Sequence, residues 1–295
     1  MRVAITGCRG QLGRELVRTA ADPLLETFCT DVEEMDITSA GQIDAVLSEF
    51  NPHVIVNAAA YTRVDAAETE SDLAYAVNAT APGLLADWCR RSESFLVHIS
   101  TDYVFSGRKG GAYVESDVTD PISVYGSSKA QGEKLVRERL PQHLIVRTSW
   151  LYSIHGQNFV KTILALCRKL DVLRIVADQY GSPTHAADLA KGIWAMIAHM
   201  HRHPDGPWGT YHFCSRGVAS WHDFATEIVR LRPAPPGGRR IRVEAIGTAD
   251  YPTAAPRPAY SALDCSKLAA NFGYRPPEWR EALEPVVLSL TAATA

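Results

Sequence analysis

The feature that most constrains this chain lies at its start. The β-branched apolar run Arg2–Thr6 passes directly into "TGCRGQLG", which places Gly7, Gly10 and Gly13 in the spacing G-x-x-G-x-x-G before a stretch of helical periodicity. A strand that turns on glycines into a helix presents unpaired backbone N–H groups and the positive end of the helix dipole, a setting that suits a pyrophosphate. Glycines of this spacing also mark ordinary turns; the position right after the first strand is what favours a dinucleotide.

The pattern then repeats. Apolar runs at 26–31, 53–60, 95–100 and 143–150 alternate with helical stretches at 39–50, 66–91 and 125–140. Strands that are apolar throughout, separated by helices, predict a parallel sheet covered on both faces. The expected fold is therefore α/β: a Rossmann-type doubly wound parallel sheet in a dinucleotide-binding domain over 1–150. Beyond Trp150 the pattern is less regular. It gives helical stretches near 157–169, 186–200 and 220–231, short strands near 173–177, 209–214 and 241–246, and a surface loop at "RPAPPGG" (232–238). This half, 151–295, is read as mainly a smaller substrate-binding lobe, with some segments returning to the first sheet.

Charge and composition exclude several classes. A formal net charge of −3 offers no basic field for nucleic acid or an anionic membrane. No stretch approaches the ~20 apolar residues of a membrane span, and the start lacks the features of a signal peptide. The six cysteines are scattered without a C-x-x-C, so neither a disulfide framework nor a zinc site is expected, and a reducing cytoplasm is the expected location. His199, His201 and His203 follow an apolar helical run and read as a solvated helix end rather than a metal site.

Several side chains are candidates for chemistry. Asp31, 18 residues past Gly13 at the end of the second strand, can accept from adenosine ribose hydroxyls and so favours NADH over NADPH. Arg9, inside the loop, could instead meet a 2′-phosphate. Asp36 and Ile37 could flank the adenine, and "NAAAY" (57–61) ends the next strand with small side chains that let a flat group lie close. Ser100, Thr101 and Asp102 end the strand at 95–100, where parallel sheets bind ligands. Tyr125 and Lys129 lie one helical turn apart, on one face. A free phenol has a pKa of ~10; a neighbouring ammonium stabilises its anion and lowers that value. Trp150 could pack on a substrate or simply fill core. Arg257 would suit a diphosphate. Ser220 with Asp223 reads as a helix cap.

The chain resembles the extended short-chain dehydrogenase/reductase superfamily and, within it, the dTDP-4-dehydrorhamnose reductase family. The resemblance spans nearly the whole length and is carried by "TGCRGQLG", "VIVNAAAYTRVDAAE", "HISTDYVF", "VYGSSKAQGE", "RTSWLY", "DQYGSPT", "WHDFA" and "RPAYSALD". By that resemblance, Thr101, Tyr125 and Lys129 match the catalytic triad, and Gly10, Gln11, Leu12, Asp31, Asp36, Ile37, Ala60, Tyr61 and Thr62 match cofactor contacts. Thr101, Asp102 and Trp150 match positions near the sugar. The implied reaction is reduction of the 4-keto group of a dTDP-4-keto-6-deoxysugar with NADH or NADPH. Tyr125 would protonate the developing alkoxide, Thr101 would hydrogen-bond that oxygen, and Lys129 would tune the phenol.

Some members of the family dimerise through a magnesium site built from acidic residues. Glu15 is present, but Ala186 and Ala187 stand where another acid is wanted. No metal is expected, and whether the chain forms a homodimer stays open. Dehydratase relatives carry Asp-Glu directly after the threonine, whereas Asp102-Tyr103 stands here. An epimerase remains an alternative. So does a non-catalytic dinucleotide-binding subunit resembling the regulatory subunit of methionine adenosyltransferase, although an intact Thr101/Tyr125/Lys129 set speaks against it.

Overall fold

The computed structural model describes residues 1–22, 24–233 and 240–292. Residues 234–238 of the expected "RPAPPGG" loop lie outside that set. The first half runs β1 (Arg2–Thr6), α1 (Gln11–Thr19), β2 (Glu26–Thr30), α2 (Ala40–Phe50), β3 (Val54–Asn57), α3 (Val64–Ala67), α4 (Ser71–Tyr75), α5 (Ala81–Arg91), β4 (Phe95–Thr101), α6 (Val124–Arg139) and β5 (His143–Thr148). It continues with β6 (Leu151–Tyr152), α7 (Phe159–Cys167), β7 (Val172–Val176), β8 (Tyr180–Gly181), β9 (Thr184–His185), α8 (Ala186–Arg202), β10 (Gly209–His212), β11 (Ala219–Ser220), α9 (Trp221–Leu231), β12 (Arg242–Ile246), α10 (Ser266–Phe272) and α11 (Trp279–Ala292).

Six strands form one parallel sheet in the order β10-β5-β4-β3-β1-β2. Its strands are apolar at successive positions because both faces are covered. Val3, Ile5, Val54, Val56, Val97, Leu144 and Val146 pack into one core with α1 and α8. The residues between them, Ala4, Ile55, Leu96 and Ile145, pack into a second core with α2, α5 and α6. Each valine, leucine or isoleucine among them contributes about 1.5–3 kcal/mol on burial, and a one-residue slip of any strand would exchange the two cores. The order reverses at β1, with β2 on one side and β3 on the other, which opens a crevice at the carboxyl ends of these strands.

Three segments from the second half return to this unit: α8 packs on α1, β10 extends the sheet beside β5, and α10 sets Leu268 into the same core against α8 and β10. The rest forms a smaller C-terminal lobe of two-stranded sheets, β11-β8, β12-β7 and β6-β9, around a core that includes Tyr152, Phe224 and Trp279. Ser220 and Asp223 form a reciprocal cap at the start of α9, as their spacing indicates.

The helical stretch expected over 66–91 is broken. Asn78 sits in a π-helical turn, Ala76–Thr80, and its buried amide bonds the backbone of Tyr61 through both N–H and C=O and also reaches Ser128. Satisfying a loop backbone from inside a helix favours the wider turn there. No helix among the described residues is long and apolar enough to cross a membrane.

Candidate functional site

One cavity of about 790 Å³ lies along the carboxyl edge of the sheet. Its floor is built by the ends of five strands, at Thr6, Thr30, Ala58, Thr101 and Thr148. Of the residues singled out from the sequence, Gly7, Gly10, Gln11, Leu12, Asp31, Asp36, Ile37, Ala60, Thr62, Thr101, Asp102, Tyr125, Lys129 and Trp150 all line it. Gly13, Tyr61 and Arg257 do not.

At one end, the glycine loop makes a cradle. Gly7 has φ +67°, and a Cβ there would stand 2.6 Å from the Ala59 nitrogen, so the loop lies against the backbone after β3. Gly10 is the N-cap of α1 and offers no side chain to its open N–H groups. Gly13 faces inward instead, letting α1 close on the loop. The cradle, the helix N-terminus and the alanines at 58–60 fit a pyrophosphate and the flat groups attached to it. Gln11 reaches across to the C-terminal lobe, where its Oε1 accepts from Asn158 Nδ2 at 2.9 Å.

Beside the cradle, Asp31 accepts from the backbone N–H groups of Arg9 and Val32, each at 3.0 Å. The Arg9 guanidinium is held by Glu33 and Glu34. Asp36 accepts from both the N–H and hydroxyl of Thr38 at 2.9 and 2.7 Å, shaping the turn that brings Ile37 to the wall. Tyr61 turns away from the cavity and is buried, its hydroxyl 3.0 Å from Glu70.

Further along the same edge, Thr101, Tyr125 and Lys129 come together. The Thr101 hydroxyl donates to Asp102 Oδ1 at 3.1 Å and accepts from the Tyr103 N–H at 3.2 Å. Tyr125 opens α6, whose N-cap is Ser123, and its ring meets Tyr103 edge-on at 5.8 Å. Burial pushes the phenol up to about 12, with the Thr101 hydroxyl drawing it back and Asp102 raising it further. Lys129 is buried and donates to the Ile99 carbonyl at 2.6 Å. Burial brings its ammonium down to about 8, opposed by the charge of Glu133.

The expected lowering of the phenol by its cationic neighbour is therefore not what governs Tyr125 here. The Lys129 Nζ is turned onto a backbone carbonyl, and desolvation dominates at the phenol. A phenol that stays protonated at neutral pH is a proton donor, not a base, and the ammonium is carried up to about pH 8.

Asp102 is also buried. Its Oδ2 accepts from Ser261 Oγ at 2.5 Å, and burial pushes its carboxyl up to about 7 against the hydroxyl hydrogen bonds that stabilise the anion. Trp150 sits at φ +45°, a conformation that non-glycine residues seldom adopt. Its indole is stacked on Trp221 at 3.5 Å, which lines the same cavity. Trp221 carries no local sequence signal for this role, since it stands between the capping residues Ser220 and Asp223 at the start of α9. Arg257 forms a bidentate pair with Asp65, both contacts at 2.7 Å, outside the cavity lining. That engagement, over a separation of 192 residues, had no sequence signal.

Comparison with known proteins adds the family. A dTDP-4-dehydrorhamnose reductase of Aggregatibacter actinomycetemcomitans is 42% identical over 287 residues, covering 97% of this chain and 98% of the relative. A Streptomyces antibioticus protein described as a probable dTDP-4,6-dihydroxy-2-methyloxan-3-one 4-ketoreductase is 41% identical over 295 residues, covering 99% and 97%. The crystal structure of a Bacillus anthracis dTDP-4-dehydrorhamnose reductase in complex with NADP superposes with a TM-score of 0.89 at 38% identity, covering 98% of this chain and 99% of that one. The model of the RmlD substrate binding domain matches residues 1–292. The chain belongs to the RmlD substrate-binding-domain family.

Proposed function

We propose that the protein is an NAD(P)H-dependent oxidoreductase that reduces the 4-keto group of a dTDP-4-dehydro-6-deoxysugar, either dTDP-4-dehydro-L-rhamnose or a related deoxysugar. The observation that carries this reading is that one cavity holds both the glycine cradle and the Thr101/Tyr125/Lys129 cluster. Two of the relatives named above, those of Aggregatibacter and Streptomyces, differ in the dTDP-ketosugar in their descriptions, so the family supports the keto-reduction and leaves the sugar to be measured.

When bound, the reduced nicotinamide supplies a hydride to the sugar carbonyl carbon. The chain supplies the rest. Gly7, Gly10 and the start of α1 hold the pyrophosphate, with Gln11 and Leu12 beside it. Asp31 takes the adenosine ribose, and Asp36, Ile37, Ala60 and Thr62 flank the cofactor. Thr101 hydrogen-bonds the carbonyl oxygen as charge builds on it. Tyr125, protonated because burial holds its phenol high, delivers the proton that completes the alcohol. The Lys129 ammonium adds positive charge on the face where the alkoxide develops. Asp102 and the Trp150/Trp221 stack line the sugar side.

Cofactor preference follows from local charge. Glu33 and Glu34 occupy the Arg9 guanidinium, so the cation nearest the ribose is not free to meet a 2′-phosphate, and Asp31 adds a further anion. NADH is the preferred donor by this reasoning, even though a relative binds NADP. Replacing Asp31 with Ala is expected to weaken NADH at least ~10-fold more than NADPH, the worth of one charge-assisted hydrogen bond. Fluorescence titration of the reduced cofactors measures this directly, and equal losses would remove Asp31 from ribose recognition.

Turnover should also carry an alkaline limb. Because the Lys129 ammonium titrates at about 8 and the Tyr125 phenol at about 12, kcat is expected to fall as pH rises through 8. A profile flat from pH 7 to 10 would exclude a role for the ammonium. The basic assay is loss of reduced-nicotinamide absorbance with dTDP-4-keto-6-deoxy-L-mannose. Absence of turnover with NADH and with NADPH, on this and other dTDP-4-ketosugars, would refute the reading.

A further inference from the structure

Tyr125, Lys129 and Glu133 are spaced by four along α6 and so share one face. All three reach the last residues of β4. Tyr125 stands beside Thr101, Lys129 Nζ donates to the Ile99 carbonyl at 2.6 Å, and Glu133 Oε1 accepts from Ser100 Oγ at 2.6 Å. The helix is thus fastened to residues 99, 100 and 101 of the strand by three successive turns.

The third fastening is the most heavily built. Glu133 has no exposed surface and Arg147, on β5, has almost none. Arg147 grips both carboxylate oxygens, Nε to Oε1 at 2.8 Å and Nη2 to Oε2 at 2.7 Å, and Arg137 adds a contact at 3.0 Å. Burial pushes the Glu133 carboxyl upward, but Arg147, Ser100 and Arg137 overcome that and hold it low. The site therefore carries an anion. A buried ion pair is often no more stabilising than apolar residues of the same volume, so stability alone does not account for it.

The surroundings of Lys129 show what the anion does. His98 on β4 lies near the ammonium, but burial keeps it uncharged at neutral pH. On the side of the π turn, Asn78 and Ser128 carry no charge. Arg147, facing from β5, is engaged by Glu133. Asp102 and Tyr125 lie toward Thr101, and Asp102 is drawn into the Thr101 and Ser261 hydroxyls. Glu133 is the charge that opposes desolvation of Lys129.

We propose that Glu133 is a positioning residue for the reduction: it pins the helix bearing Tyr125 and Lys129 to the strand end bearing Thr101, and it sets a buried carboxylate one turn from Lys129 on the same face of that helix. The part of this that concerns turnover rests on the reductase reading; the part that concerns Lys129 does not. The test therefore pairs two readouts, the alkaline limb of kcat and the titration of Lys129 itself. The second is followed by NMR of protein labelled at lysine Cε and assigned by the signal lost in Lys129→Met.

In Glu133→Gln, both readouts are expected to move to lower pH by about one unit or more. A one-unit move alone lowers kcat at pH 8 about fivefold. Glu133→Asp keeps the charge and is expected to restore both readouts to the wild-type position. Glu133→Gln leaves Arg147 buried without its counter-ion, so it could fail to fold; Glu133→Gln/Arg147→Met carries no lone charge and is then read in its place. If the folded variant lacking the carboxylate is less heat-stable but titrates Lys129 at the wild-type pH, or if Glu133→Asp titrates like Glu133→Gln, the proposal is overturned. The NMR readout decides even if no ketosugar is turned over.

Discussion

Tyr125→Phe is expected to lower kcat by about 10²–10⁴-fold, the usual worth of a positioned general acid, while reduced-dinucleotide binding survives. The substitution removes one oxygen and keeps the ring, so the edge-on contact with Tyr103 and the opening turn of α6 remain. What is lost is the proton. Burial holds the phenol up to about 12, and Thr101, the other hydroxyl at the strand end, hydrogen-bonds Asp102 and is a far weaker acid. Single-turnover measurement with bound reduced cofactor separates the two steps. Unchanged turnover would take Tyr125 out of the chemistry, whereas a matching loss of cofactor affinity would make it a binding residue only.

The second large effect is expected at Gly13. A Cβ there would lie 2.3 Å from the Gly7 carbonyl oxygen and 2.5 Å from Cys8 Cα, both backbone atoms that cannot swing aside. Gly13→Ala must therefore push α1 away from the glycine loop. Overpacking of this kind costs about 1–3 kcal/mol, so a fall in Tm of several degrees is expected. Because the loop and the helix N-terminus together form the cradle, displacing α1 should also weaken reduced-cofactor binding measurably. Gly41→Ala is the control: nothing lies within 4 Å of the added carbon, and α2 should be unharmed. Calorimetry of both variants, with cofactor titration, checks the pair. Near-wild-type binding in Gly13→Ala would mean that the cradle does not depend on close packing of α1.

The main sheet was legible because its strands are buried on two sides. Val3-Ala4-Ile5 and Leu144-Ile145-Val146 leave no polar position for a solvent face, and with helical stretches between such runs the pattern is that of doubly covered parallel strands. The glycine loop, Thr101 and Tyr125 were legible because each marks the end of a strand or the start of a helix, and Lys129 because it lies one turn beyond Tyr125 on the same face. The second half was harder. β6, β8, β9 and β11 are two residues each, too short for any periodicity.

Contacts remote in sequence were invisible for a different reason. Arg257 was expected to face a diphosphate, but Asp65 takes its guanidinium, and nothing in either neighbourhood announces the pairing. Trp150 and Trp221 stack face to face from opposite sides of 70 intervening residues. Glu133 could have been noticed, since it continues the four-residue spacing of Tyr125 and Lys129, but a glutamate on a helix is ordinarily exposed, and its burial depends on Arg147 arriving from the next strand.

The most direct measurement uses NADH carrying deuterium at the transferring position of nicotinamide C4, incubated with dTDP-4-keto-6-deoxy-L-mannose and other dTDP-4-ketosugars, with NMR of the product. One deuterium at sugar C4, with one cofactor oxidised per sugar reduced, is the expected result. An isomerised sugar with no net cofactor oxidation, or solvent hydrogen at C3 or C5 and none of the label at C4, would contradict keto-reduction and point to an epimerase.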